Sequence, residues 1–138
     1  MKYFILFIVY IFTIIPTHAQ KGVSKKSPEI IAKLMIGKTT YLDNKGVKFI
    51  GVVEDSRCPT GVNCIWAGKA KILVGIYENN MLVKEKEITF EPKNTKKEAM
   101  QELLVSDTKT IYGYTLSPYP VSGQKKNPSD YFIEILIE

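Results

Sequence analysis

Four stretches of this chain read as β-strands and constrain its fold more than anything else in it. They are Val47 to Val53 (VKFIGVV), Ala70 to Tyr77 (AKILVGIY), Met81 to Phe90 (MLVKEKEITF) and Tyr131 to Ile137 (YFIEILI). Each is rich in β-branched and aromatic residues and bounded by turn residues. Asp43-Asn44-Lys45-Gly46 reads as a hairpin loop ahead of the first, and Glu78-Asn79-Asn80 turns the second into the third. Lys and Glu alternate through Lys84-Glu85-Lys86-Glu87, as expected of a partly exposed strand.

Shorter or less regular runs complete the pattern. Thr39 to Leu42 and the tyrosine-rich Asp107 to Leu116 are β-prone. Glu29 to Ile36 is ambiguous: Ser27-Pro28-Glu29 could open a helix, but Ile30, Ala32, Leu34 and Ile36 alternate as a strand would, and the strand reading is adopted. The helix signal elsewhere is Thr95-Lys96-Lys97-Glu98, a capping box ahead of Ala99, Met100, Leu103 and Leu104. The expectation is an all-β domain, an antiparallel β-sandwich or small β-barrel of about seven strands with one short helix.

The N-terminus reads as a targeting segment. Lys2 precedes an apolar run from Tyr3 to Ile15, Pro16 breaks it, and Thr17-His18-Ala19 forms a small-residue cleavage pattern before Gln20. The run falls short of the roughly 20 residues of a spanning helix. The expected organisation is a signal peptide over 1–19, a flexible basic leader over 20–28 and a single β domain over 29–138. Export would leave a periplasmic or extracellular protein with no stable membrane anchor, because Gln20 stands where a lipoprotein needs Cys. In such an oxidising compartment Cys58 and Cys64 read as a disulfide, and Pro59, Gly61 and Asn63 between them supply the turn chemistry to close it.

Histidine limits the chemistry. His18 is the only one and lies in the segment expected to be removed, so a mature chain could build neither a Ser–His–Asp system nor a His-ligated metal site. No phosphate-binding glycine loop is present, and no cofactor is expected. A net charge of +5 carried by lysines and the single Arg57 does not suggest nucleic-acid binding. Glu54, Asp55 or Glu134 could serve a carboxylate-dependent, glycosidase-like hydrolase, but acidic residues in any domain are more often solvated or ion-paired.

Two connections are long: Glu54 to Gly68, which holds both cysteines, and Ser117 to Asp130, which holds three prolines. Long loops in compact domains are often functional. The candidate binding loop residues are Asp55, Arg57, Trp66 and Tyr119. Structurally, Asp55 could accept loop N–H groups, Arg57 could pair with Asp55 or Glu54 in a planar fork, and Trp66 could pack beneath the disulfide. Functionally, Arg57 and Trp66 are the residue types that anchor binding sites. Tyr112, Tyr114, Tyr119 and Tyr131 read as edge-of-core packing with surface hydroxyls, or as an aromatic contact surface.

The stretch Asp55-Ser56-Arg57-Cys58-Pro59, then Cys64-Ile65-Trp66-Ala67-Gly68, with the later Tyr114 to Pro120 (YTLSPYP), resembles a group of small bacterial secreted proteins and lipoproteins. The resemblance implies a cell-envelope or extracellular home and no particular activity or substrate. The expectation is a non-catalytic exported binding module whose partner is an envelope protein or a glycan. The alternatives are the carboxylate-dependent hydrolase and a purely structural envelope protein.

Overall fold

The computed structural model describes residues 32–92 and 99–138. The expected signal peptide and leader lie outside them, as do Glu29 to Ile31 and the Thr95–Glu98 capping box. Eight strands run through the described residues: β1 (Ala32–Met35), β2 (Thr39–Leu42), β3 (Lys45–Asp55), β4 (Ala70–Glu78), β5 (Met81–Phe90), β6 (Gln101–Val105), β7 (Thr110–Ser117) and β8 (Phe132–Ile137). They form two four-stranded antiparallel sheets, β1-β8-β7-β6 and β2-β3-β4-β5. The architecture is a β-sandwich, all-β as the sequence implies.

Alternation decides which side chains meet between the sheets. Ala70, Ile72, Val74 and Ile76 of β4 are buried, as are Val47 and Phe49 of β3 and Ile133 and Ile135 of β8. Burying a side chain of this kind contributes about 1.5–3 kcal/mol. A core that also holds Leu34, Ile111 and Leu116 therefore outweighs any single cross-link.

Two departures from the sequence reading have local causes. The first hairpin turns on two residues: Leu42 pairs with Lys45, so Lys45 and Gly46 belong to β3, and Asp43 takes a left-handed φ of 56°. A side chain at position 46 would collide with the Tyr41 ring, about 2.9 Å away. The second departure is β6, which occupies much of the expected helix. A bulge between Glu102 and Leu104 lets adjacent Leu103 and Leu104 both face the core. Pairing with β7 there overrides local helix preference. The Asn79-Asn80 turn follows expectation, with both residues left-handed (φ 49° and 63°), as a two-residue type I′ hairpin requires.

β3 ends at Asp55, and the 56–69 connection leaves from there. The 118–131 connection between β7 and β8 closes over the same end of the sandwich.

Candidate functional site

Asp55 and Arg57 organise this end. Arg57 is 4% exposed and grips the Asp55 carboxylate as a fork: Nε donates to Oδ1 at 2.7 Å and Nη2 to Oδ2 at 2.8 Å. Its remaining donors cross to the other sheet, Nη1 to the Leu116 carbonyl and Nη2 to the Pro118 carbonyl at 3.1 Å. The guanidinium also lies 4.9 Å from the centre of the Tyr119 ring. Lys126 Nζ donates to Asp55 Oδ2 at 2.9 Å and to the Pro118 carbonyl at 3.1 Å, and the Tyr131 hydroxyl donates to Oδ2 at 2.8 Å.

The planar fork with Asp55 is one of the two pairings the sequence suggested for Arg57. Asp55 itself differs from expectation, since its oxygens accept from side chains and not from loop N–H groups. Tyr131 differs too: it is buried, and its hydroxyl points to Asp55 instead of to the surface. Tyr112 and Tyr114 alternate with buried Ile111 and Gly113 on β7 and share its outward face as expected, with a bulge at Tyr114 before Thr115.

Burial alone would raise the Asp55 pKa. The hydrogen bonds from Arg57, Lys126 and Tyr131 outweigh it and hold the carboxyl well below the usual carboxylate range. Tyr131 is pushed up to about 12, first by burial and then by donating to the Asp55 carboxylate. A carboxylate so fully engaged is a poor general base. The cluster serves as a lock between the sheets.

The lock carries a rigid loop. Cys58 and Cys64 are joined as a disulfide with their Cα atoms 5.9 Å apart. The β3–β4 ladder continues past the strand ends through Ser56 N–H to the Lys69 carbonyl and Cys58 N–H to the Ala67 carbonyl, both at 2.9 Å. A parallel bridge then ties the two long loops together: Thr60 N–H donates to the Pro120 carbonyl at 2.9 Å and Ser122 N–H to the Thr60 carbonyl at 3.2 Å.

Trp66 does not pack beneath the disulfide. It is 79% exposed and its neighbour Ile65 is 90% exposed, while Arg57 and its carbonyl partners lie inside. Trp66 and Tyr119 instead line a groove of about 510 Å³, floored by the Cys58–Cys64 segment and bounded by Pro92. Of the four candidate loop residues, Asp55 and Arg57 thus face inward, and Trp66 and Tyr119 border the groove. Lys126 and Tyr131 complete the lock; the sequence points to Tyr131 only as one of the edge-of-core tyrosines and does not single out Lys126. Neither has a local signal, since their contact with Asp55 spans more than 70 residues (71 and 76 positions).

The Asp55–Gly68 and Tyr114–Pro120 stretches meet at this lock, where Arg57 of one binds the Leu116 and Pro118 carbonyls of the other. Comparisons with family models, with curated proteins and with solved structures find no match. Among the described residues no helix is long and apolar enough to cross a membrane. The disulfide fits an oxidising, non-cytoplasmic compartment.

Because Arg57, the cross-loop bridge and the core act independently of it, the disulfide should stabilise only locally. Replacing both cysteines with serine is expected to lower unfolding free energy by about 2 kcal/mol, the loop-entropy value for so short a ring. Urea unfolding measures it, and a loss above about 4 kcal/mol would mean that the bridge holds the whole fold.

Proposed function

We propose that this chain is an exported, non-catalytic binding module of the bacterial cell envelope. It meets its partner through the joined 56–69 and 118–131 loops. One observation carries the reading: the largely exposed Ile65-Trp66 pair sits between the Cys58–Cys64 disulfide and the Cys58–Ala67 backbone hydrogen bond, which tie the loop on either side of it. Solvent-exposed aromatics normally lose conformational entropy on binding, and a pre-ordered loop reduces that loss. The uncharged lining of the neighbouring groove favours binding over acid–base chemistry at this face.

The export reading rests on the N-terminal apolar run with its Thr17-His18-Ala19 pattern and on the disulfide. It is tested by intact mass under non-reducing conditions, where removal of residues 1–19 and loss of two hydrogens are expected.

The binding reading is tested by retention of the protein on immobilised envelope fractions: glycan strands, lipid vesicles and membrane proteins. Trp66→Ala is expected to reduce retention on one of them by at least about tenfold, with unchanged melting temperature because the ring packs against so little. Equal retention of variant and wild type on every fraction would count against a binding role and leave the structural alternative.

A further inference from the structure

The apolar residues at the cysteine-loop end stand largely in solvent, two of them, Val62 and Trp66, beside the groove. Ile65 is 90% exposed, Trp66 79%, Val62 45% and, from the second loop, Val121 41%. The Thr60–Val121 bridge holds the two loops side by side, so these four residues form one surface drawn from two connections. A protein partner would need a surface complementary to each of these exposed side chains. The layer between lipid headgroups and acyl chains accepts them without one, and it favours the indole ring in particular, which is apolar with a polar N–H edge.

Charge points the same way. The 56–69 loop carries Arg57 and Lys69 and no acidic residue, and the 118–131 loop carries Lys125 and Lys126 against Asp130. Glu54 faces Lys71 across the β3–β4 ladder, and Glu91, next to the groove's Pro92, adds one acid, so cations stay in modest excess. Asp55 answers one of two cations within the lock, which leaves that cluster with a surplus positive charge. The turns at the opposite end hold Asp43, Glu78, Asp107 and the terminal Glu138 against Lys45 and Lys109. The sandwich is therefore polarised along its length, positive behind the apolar tip and negative at the far end. Such a field turns the tip toward an anionic surface.

We propose that the cysteine-loop end docks reversibly on an anionic lipid surface. Val62, Ile65, Trp66 and Val121 enter the headgroup layer, and Lys69 and Lys125 lie against lipid phosphates. This rests on the binding-module reading and names its partner class. The rigid lock beneath matters because it holds the tip in its inserting form before contact.

Trp66 is the only tryptophan in the chain, so its fluorescence reports the tip alone, whatever the N-terminal apolar run does. The protein, purified as expressing cells make it, is titrated with vesicles of equal phosphatidylglycerol and phosphatidylcholine. The expected result is a shift of Trp66 emission to shorter wavelength, with quenching by lipids brominated near the headgroup. The response should weaken in phosphatidylcholine alone and as salt is raised. Ile65→Asp is expected to reduce partitioning by at least about tenfold, and Lys69→Glu with Lys125→Glu should remove the preference for anionic lipid. Both sets of changes are at exposed positions, and circular dichroism confirms that the variants fold.

An emission maximum that stays at the exposed-indole position at every lipid concentration overturns the lipid assignment. So does a shift that tracks protein concentration without vesicles, which would mean that a second copy covers the tip. If vesicles have no effect while retention on glycan strands or membrane proteins still depends on Trp66, lipid docking falls and the binding module stands.

Discussion

Asp55→Asn is expected to lower unfolding free energy by about 3–5 kcal/mol, the usual consequence of removing one partner from a buried ion pair. The Arg57 side chain is 2% exposed and the Asp55 side chain 10%, so water cannot replace what is lost. The amide would keep one acceptor but turn an NH₂ toward the Arg57, Lys126 and Tyr131 donors, leaving at least one buried cationic donor facing another donor. Urea unfolding at pH 7 checks this. A loss below about 1 kcal/mol would mean that the pair is effectively solvated, as surface ion pairs are.

The same cluster sets how stability varies with pH. In the unfolded chain an Asp titrates near 3.9. Asp55 is held well below that in the fold by its three donors despite burial, so its contribution is whole above about pH 5 and is lost progressively as pH falls below about 4. Tyr131 works at the other limb. Its folded pKa of about 12 exceeds the ordinary 10.0, so its contribution is whole below pH 10 and is lost as pH rises from 10 toward 12. Melting temperature against pH should be flat in the middle and fall at both limbs, and Asp55→Asn should flatten each. An alkaline limb unchanged by the variant would argue against the Tyr131–Asp55 hydrogen bond as its source.

Gly68→Ala should be at least as damaging, for a reason of shape. Gly68 has φ +70°, in the left-handed region. A Cβ there would overlap the Ser56 carbonyl oxygen and lie 2.5 Å from that carbonyl's carbon and 2.9 Å from the Arg57 Cα. Backbone cannot step aside as a flexible side chain can. The Ser56–Lys69 and Cys58–Ala67 hydrogen bonds would have to open, and Arg57 would be drawn from its carbonyls. The expected loss is about 3 kcal/mol or more. Amide exchange is expected to rise at Ser56, Cys58 and Thr60 while the β4 core amides stay protected. Uniform protection matching the parent protein would show that the loop accommodates the methyl group.

Local chemistry was enough to read much of the molecule. β-Branched and aromatic enrichment between turn residues marked β3, β4, β5 and β8, because such side chains fit a pleated, packed surface. The Asn79-Asn80 turn was legible because few residue pairs tolerate two left-handed positions in succession. The disulfide was legible because cysteine proximity in sequence, with turn residues between, nearly guarantees proximity in space. β6 was not, since its two adjacent inward leucines depend on a bulge that only pairing with β7 creates.

The site divides in the same way. Chain order alone singled out Asp55, Arg57, Trp66 and Tyr119, and pointed to a planar fork between the first two. It could not tell which of them faces inward. Only the closing of one sheet over the other brought the Leu116 and Pro118 carbonyls, Lys126 and Tyr131 to the Asp55–Arg57 pair. Arg57, with several donors to satisfy, took the interior because several acceptors waited there. Trp66, with a single donor, stands largely in solvent beside the groove. A residue's type limits the contacts it can make, but burial is a competition for space that is settled by residues far away in the chain.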